Sequence, residues 1–310
     1  MNPVLDQHLG SFLHCPAPAK LNLFLHVTGQ RADGYHLLES AFQLIARSDV
    51  LHFRLRDDAQ IIRTNDIAGV PAESDLVVRA AKLLQSHTEN RHGAEITLEK
   101  KLPMGGGLGG GSSDAATTLI ALNTLWQTNL SRLELMELGV RLGADVPFFL
   151  FGQNGFAQGI GEQLTPLATP DCWYVVIEPG VSIPTQTIFS SKALTRNSPS
   201  IKVSDFHRYP QGDWKNDLQS VAVQLFPEVS AAIEWLNHYG NAKMTGSGSC
   251  VFSSCENEAA ADQILNEFSS GIDGMLQSGQ LIKRDHHCQQ WKIWKAKSLR
   301  EHPLTHWIKS

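Results

Sequence analysis

Apolar and polar residues alternate strictly over residues 20–27. In a strand this puts Leu21, Leu23, Leu25 and Val27 on one face and Lys20, Asn22, Phe24 and His26 on the other. The first face is core. The second holds a Lys and an Asn two residues apart beside Phe24, which a plain solvent face does not explain. Polar residues 28–34 end in the turn signal Asp33-Gly34. An apolar segment returns over 37–45, and alternation resumes over 50–56. Leu76, Val77, Ala80, Leu83 and Leu84 have helical spacing, predicting a helix over 75–86 with Ser74 as N-cap. Ala94, Ile96 and Leu98 predict a short strand. Ala116, Leu119, Ile120 and Asn123 form one stripe of a helix over 113–126. A second helix opens at Ser131, whose spacing to Glu134 is that of a capping box, and ends near Gly143. The glycine-rich run 153–161 predicts a tight strand pair.

Beyond about Pro166 the texture resets. Residues 174–178 read as a strand closed by Pro179-Gly180, and 192–211 as a long polar surface connection. Helices follow around Leu218–Leu225 and over 228–238, then a Gly/Ser loop over 242–249, a short strand at 250–252, a helix over 256–268 and a last strand over 290–297. Strands and helices mixed in both halves argue for an α+β fold of two domains, 1–165 and 166–310, since a domain typically runs ~100–200 residues.

Composition narrows the function classes. The 310 residues are 42% hydrophobic with a net charge of −5, which excludes a disordered chain and argues against a nucleic-acid-wrapping protein. No apolar run approaches the roughly 20 residues that span a bilayer, and the first ten residues lack the cationic and apolar blocks of a signal peptide. Five cysteines, an odd number without a C-x-x-C pair, fit reduced thiols in the cytoplasm. His286, His287 and Cys288 stand together, but without a second ligand pair at a readable spacing they read as a polar loop.

The most unusual stretch is Pro103-Met-Gly-Gly-Gly-Leu-Gly-Gly-Gly-Ser-Ser-Asp114. Gly105, Gly106, Gly107, Gly109, Gly110 and Gly111 clear side chains from the backbone N–H groups, and the loop empties into a helix N-terminus, where unpaired N–H groups and the dipole favour an anion. Ser112 and Ser113 add hydroxyl donors, or a ligand for a phosphate-bound cation. The dinucleotide fingerprint fails, because it needs a following strand with an acidic end. The ATPase loop fails because no Lys follows the glycines, and protein-kinase landmarks are missing. What remains is a polyphosphate cradle that lacks its own cation, so the cation must come from elsewhere. Lys20 is a candidate, against the plainer reading of a surface Lys at a strand start. Asp145, in Gly143-Ala-Asp-Val-Pro147-Phe-Phe, is either a hydroxyl-activating carboxylate or a helix N-cap. Tyr35-His36 is either a base-stacking pair or a packed strand start, and 245–249 either closes over a ligand or makes a turn.

Pro18-Ala-Lys-Leu-Asn22, the loop from Pro103 to Ala115 and Met244-Thr-Gly-Ser-Gly-Ser249 occur in the order found in the GHMP small-molecule kinases, which the chain resembles. Ala19-Lys-Leu-Asn-Leu-Phe-Leu25, Gly29-Gln-Arg-Ala-Asp-Gly-Tyr-His36, Gly143-Ala-Asp-Val-Pro147 and Pro179-Gly-Val-Ser-Ile-Pro-Thr185 narrow the resemblance to members acting on a cytidine-diphosphate-linked sugar alcohol. The resemblance spans roughly residues 16–255. It implies a ribosomal-protein-S5-like N-terminal domain, a ferredoxin-like C-terminal domain and a site in the cleft between them. The implied reaction is ATP-dependent phosphorylation of the 2-hydroxyl of 4-diphosphocytidyl-2-C-methyl-D-erythritol, with Mg²⁺ accompanying ATP. By resemblance Asp145 takes the hydroxyl proton, Lys20 orients it, and Asn22 holds the erythritol end. Tyr35 and Phe189 wall the cytosine, His36 reads its edge, Thr185 lies near the diphosphate, and Pro103 with Gly105–Ser113 cradles the ATP phosphates. Metal ligands are not implied. Asp114 and Asp75 depart from the family pattern, where Asn is common. Trp291, Trp294 and Trp307 interleave with Lys292, Lys295, Lys297, Arg300 and Lys309, and read as a last strand with a short packed tail. Other members, such as homoserine or mevalonate kinases, act on substrates with no base for Tyr35-His36 to stack. A non-catalytic nucleotide-binding or scaffolding protein would not need both Lys20 and Asp145. The implied partners are small molecules, with no nucleic acid or membrane.

Overall fold

A computed structural model describes residues 4–6, 11–208, 214–270 and 290–308. The short strand β1 (Val4–Asp6) leads into two long strands, β2 (Ser11–Gln30) and β3 (His36–Arg56), which pair antiparallel. Each is longer than its hydrophobic pattern suggested. Pairing continues through the Pro-Ala-Pro-Ala run before Lys20 and the polar residues around Asp49, with a register shift between Pro18 and Ala19. The register slips between Asn22 and Phe24. This bulge turns Phe24 away from Lys20 and Asn22, correcting the expected shared face. Phe24 is fully buried against Ala41, Phe156 and Phe206, while Leu25 moves to the Lys20 side.

After β4 (Ile61–Arg63) comes α1 (Leu76–His87), capped by Asp75, whose carboxylate accepts from Val77 N–H. The cap is therefore Asp75 rather than Ser74. β5 (Gly93–Glu99) extends the sheet beside β3. α2 runs from Gly110 to Leu125, starting three residues before the expected Ser113. α3 (Arg132–Val140) has the expected Ser131/Glu134 capping box, and α4 (Val146–Phe151) follows. β6 (Gly155–Gln158) pairs with β7 (Gln163–Pro166), so a strand pair forms but its second strand lies beyond the expected run 153–161. The second half contains β8 (Trp173–Glu178), α5 (Thr185–Phe189), α6 (Val203–Arg208), α7 (Gln219–Leu225), α8 (Pro227–Leu236), β9 (Lys243–Met244), β10 (Val251–Cys255), α9 (Glu258–Ser269) and β11 (Lys292–Leu299). The expected surface connection before α7 thus contains a helix, and its Phe206 is buried beside Phe24.

Of four apolar clusters among the described residues, two large ones carry most of the packing, and a third, around Leu21, Ile45, Tyr174 and Phe252, joins the two halves. Of the two large cores, one lies between the β2–β3–β5 face and α1–α4, and contains Phe53, Leu84, Leu119, Phe148 and Phe149. Full burial of each such side chain contributes about 1.5–3 kcal/mol. The other joins β8 and β10 to α7, α8 and α9 around Val175, Ile177 and Leu236. β11 pairs with both β8 and β3, so the sheet is continuous across the two halves in the order β1-β2-β3-β11-β8-β10-β9. The segment after β11 returns to the first core: Leu304 and Ile308 are buried there, and Trp307 lies 4.5 Å from Phe12, ring to ring. Trp291 and Trp294 are buried, so the interleaved tryptophans are packing residues. His286, His287, Cys288 and Lys309 lie outside the described residues. Cys15, Cys172, Cys250 and Cys255 are free thiols. No helix among the described residues is long and apolar enough to cross a membrane.

Candidate active site

The slip at Asn22 leaves Lys20 and Asn22 facing a cavity of about 920 Å³. Lys20 is only 4% exposed, and its backbone N–H donates to Leu108 O, which ties β2 to the glycine loop. Its Nζ donates to Asn22 Oδ1 at 2.5 Å, lies 3.5 Å from Asp145 Oδ2 and sits over the Phe42 ring. Asn22 Nδ2 donates to Ser40 Oγ, so the amide is fixed from both ends. Asp145 occupies the N-cap position of α4, yet its side chain caps nothing. Its carboxylate turns instead toward Lys20 and is one-third exposed to the cavity. Of the two alternatives held for Asp145 in the sequence, the side-chain cap is not formed, and the carboxylate is left to the cavity.

The glycine loop runs alongside Lys20: a Cβ on Gly109 would stand 3.2 Å from Lys20 Cε. Gly109 adopts a left-handed φ of 70° and stands at the N-cap of α2 without a side-chain cap, so the first N–H groups of α2 stay open. Gly110, Gly111 and Ser112 make that first turn. Gly107 is required for packing: a Cβ there would lie 2.1 Å from Thr245 O. The 245–249 segment rests on the glycine loop. Cys250 N–H donates to Gly106 O, Thr245 Oγ1 to Gly107 O, and Asn22 N–H to Thr245 Oγ1. It is thus a turn that also builds the cavity, through Gly246 and Ser247.

At one end of the cavity stand Tyr35, His36 and Phe189. Tyr35 is 60% exposed at the hairpin tip, and Phe189 lies 4.9 Å from His36, ring to ring. Burial and the neighbouring Arg196 lower the pKa of His36, keeping the ring neutral near pH 7. Arg196 Nε donates to His36 Nε2 and its Nη2 to Phe189 O. Thr185 opens α5 and shares a hydrogen bond with Ser247 Oγ at 2.8 Å. At the other end Ile67, Val70, Leu76 and Leu98 make an apolar slot beside Asp75. Asp75 is buried and paired with Arg63, whose guanidinium also holds Asn65 O and Val70 O.

Every residue named from the sequence as a site residue lines this cavity except Ser113. The Ser113 side chain is fully buried, and its hydroxyl has no partner among the described residues. Its place as a loop hydroxyl donor therefore gives way to Ser112, because the earlier helix start rotates Ser113 inward. Sequence reasoning missed Lys100, Phe42, Ser40 and the 67–76 slot. Lys100 had one signal, its position just before the loop in Glu99-Lys100-Lys101-Leu102-Pro103. Asp114, which departs from the family pattern, accepts from Lys100 Nζ at 2.8 Å. No cluster of three His, Cys, Asp or Glu side chains that could hold a metal occurs among the described residues.

A lysine–carboxylate pair beside an open helix N-terminus in one cavity defines a small-molecule phosphotransferase site. The sequence comparisons agree. Residues 75–153 match the profile of the GHMP kinases N terminal domain, and 202–273 that of the GHMP kinases C terminal. The chain belongs to the GHMP kinase family. Within it, the chain is 61% identical over 298 residues to the 4-diphosphocytidyl-2-C-methyl-D-erythritol kinase of Janthinobacterium sp. (strain Marseille), covering 94% of this chain and 96% of that one. It is 60% identical to the enzyme of that name from Herminiimonas arsenicoxydans, covering 94% and 97%. A crystal structure of a 4-(cytidine 5'-diphospho)-2C-methyl-D-erythritol kinase superposes with a TM-score of 0.72 at 31% identity, covering 91% of this chain and 98% of that one. A homoserine kinase from Cytophaga hutchinsonii shares the fold alone, with a TM-score of 0.67 at 16% identity.

Proposed function

We propose that the protein transfers the γ-phosphoryl group of ATP to the 2-hydroxyl of 4-diphosphocytidyl-2-C-methyl-D-erythritol, giving the 2-phosphate and ADP on the non-mevalonate route to isoprenoid precursors. The observation that carries this reading is the Lys20–Asp145 pair, 3.5 Å apart, facing the open first turn of α2 in one cavity. The hydroxyl oxygen attacks the γ-phosphorus as its proton passes to Asp145. The bond to the bridging oxygen breaks, and its electrons leave with ADP. Lys20, fixed by Asn22, holds the Asp145 carboxylate toward the hydroxyl and offsets charge on the transferring group. Asn22 and Ser40 line the acceptor side, where the erythritol chain would lie.

The glycine loop from Pro103 to Ser112 takes the ATP phosphates, and the slot of Ile67, Val70, Leu76 and Leu98 takes the nucleotide's apolar base face. Tyr35 and Phe189 would wall the cytosine, with the neutral His36 at its polar edge and Thr185 near the diphosphate. Mg²⁺ would travel with the nucleotide, neutralising phosphate charge. This suits a wall that offers it single oxygen donors rather than a dedicated cage. We place the boundary between the halves at about residue 165, at the end of β7 and before β8, with Leu304 and Ile308 crossing back to the first core and Leu25 and Val27 reaching the second. A cytoplasmic setting fits a reaction that consumes ATP.

Phosphorus NMR with Mg-ATP and the cytidyl substrate, with homoserine and mevalonate in parallel, tests the reading. A new phosphomonoester signal with the cytidyl substrate alone is expected, and a signal with another alcohol alone would refute it. Asp145→Asn should lower kcat by about 10²–10⁴-fold, the usual range for a lost general base, with ATP affinity retained. Tyr35→Ala should raise KM for the cytidyl substrate and spare that for ATP.

A further inference from the structure

The glycine loop contains no lysine, and Lys20 is committed to Asn22 and Asp145. A second ammonium nevertheless stands at the loop. Lys100 follows β5, and its Nζ donates to Asp49 Oδ2 at 2.5 Å and to Asp114 Oδ2 at 2.8 Å. Both carboxylates are buried, and Asp49 is further anchored by the backbone N–H groups of Lys101 and Leu102. Asp114 lies one turn into α2. Lys100 Nζ sits 3.3 Å from the point a Cβ would take on Gly110, the first residue of α2, and the side chain lines the cavity.

An ammonium has three N–H donors, and the two carboxylates take two of them. The third remains for the cavity. The electrostatics point the same way. The buried Asp49 carboxylate beside the first turn of α2, joined by Asp114 once that group gives up its proton, opposes the positive end of the dipole and repels an anion bound there. Lys100 Nζ and Asp49 Oδ2 both reach that turn, at 3.3 and 3.5 Å from the Cβ point on Gly110, so the ammonium offsets the carboxylate where an anion would bind.

We propose that Lys100 is the cation of the glycine loop: pinned by Asp49 and Asp114, it offers its third N–H to the phosphate oxygens of a bound nucleoside di- or triphosphate and cancels the carboxylates that would repel them. This rests on the loop being the ATP cradle. It assigns Lys100 to nucleotide phosphate binding and leaves proton transfer with Asp145.

The test is a ligand series. Dissociation constants for adenosine, ADP and ATP are measured by NMR titration on the full chain, for wild type, Lys100→Met, Lys100→Arg, Asp114→Asn and the double variant K100M/D114N. Lys100→Met should weaken ADP and ATP at least tenfold and adenosine less than twofold, because only the phosphates meet the ammonium. Lys100→Arg, which keeps a cation, should recover part of the loss. If Lys100→Met fails to fold, the double variant, which removes one stranded carboxylate, carries the same comparison against Asp114→Asn. Equal weakening of adenosine and ADP would make Lys100 a structural residue and overturn the proposal, as would undiminished ADP binding. A wild-type protein that binds no adenine nucleotide would overturn the cradle reading itself, which is a different result.

Discussion

Asp145 and Asp114 are both aspartates at helix starts, and their surroundings give them opposite characters. Asp145 stays on the cavity wall next to Lys20. Asp114 is buried, and the loss of water raises its pKa to about 8, with the Asp49 charge adding to the rise and Lys100 opposing it. An ordinary carboxylate titrates near 4. Between about pH 4 and 8 the folded chain therefore holds a proton at Asp114 that the unfolded chain releases, so stability falls as pH rises through that window. Asparagine keeps an acceptor for Lys100 and does not titrate. Asp114→Asn should thus melt higher than wild type at pH 8, with the gain shrinking toward pH 4. Melting curves at both ends check it, and a gain independent of pH would contradict it. Lys20 and Asn22 were legible because a Lys and an Asn two residues apart beside Phe24 are not what a plain solvent face carries. Lys100 was not, because it sits in a charged run that reads as a solvated strand end, and its partners lie 51 and 14 residues away in sequence.

At the scale of elements, the site is made where one loop bears on another. The glycine loop and the 245–249 turn approach so closely that Gly107 has no room for a Cβ, and its φ of 73° adds a penalty for any other residue. Gly107→Ala should lower the melting temperature by several degrees and cut turnover at least tenfold. Gly111→Ala, where the added carbon meets only Leu76 Cδ1 at 3.6 Å, should fold as well as wild type. Thermal melts of the two variants separate packing from composition, since both remove one loop glycine. The start of α2 was misjudged by three residues because glycines and serines carry no apolar period, and the helix begins where Gly109 turns left-handed. The bulge at Asn22 escaped notice because a register slip leaves no mark in a regular alternation. The capping box at Ser131 was read correctly, since all its partners lie within four residues.

Over the whole molecule, the chain's last strand joins the two halves and its end closes the first core. His302 anchors that end. It is fully buried, accepts Leu304 N–H at Nδ1 and lies 3.4 Å from Thr117 Oγ1. Burial, with Arg132 nearby, lowers its pKa to about 3. The unfolded chain takes up a proton there near pH 6.5, so the stabilisation held at neutral pH is lost as pH falls toward 3. His302→Gln should cost stability at pH 7 and progressively less toward pH 4, which melting temperatures across that range would show. A constant difference would remove His302 from the acid response.

The amino-acid order by itself determined the α+β class, singled out the loop from Gly105 to Ser113 as a candidate phosphate cradle, and set Lys20, Asn22 and Asp145 apart from their neighbours. Each of these signals is local: a period, a turn, or a residue type out of place among its neighbours. Only the tertiary structure decided that Asp145 caps nothing and faces Lys20, that Ser113 is turned inward, that Lys100 sits between two buried carboxylates at the loop, and that the chain's end belongs to its first core. Those outcomes depend on contacts between segments far apart in sequence, and on a register shift that alternation cannot signal.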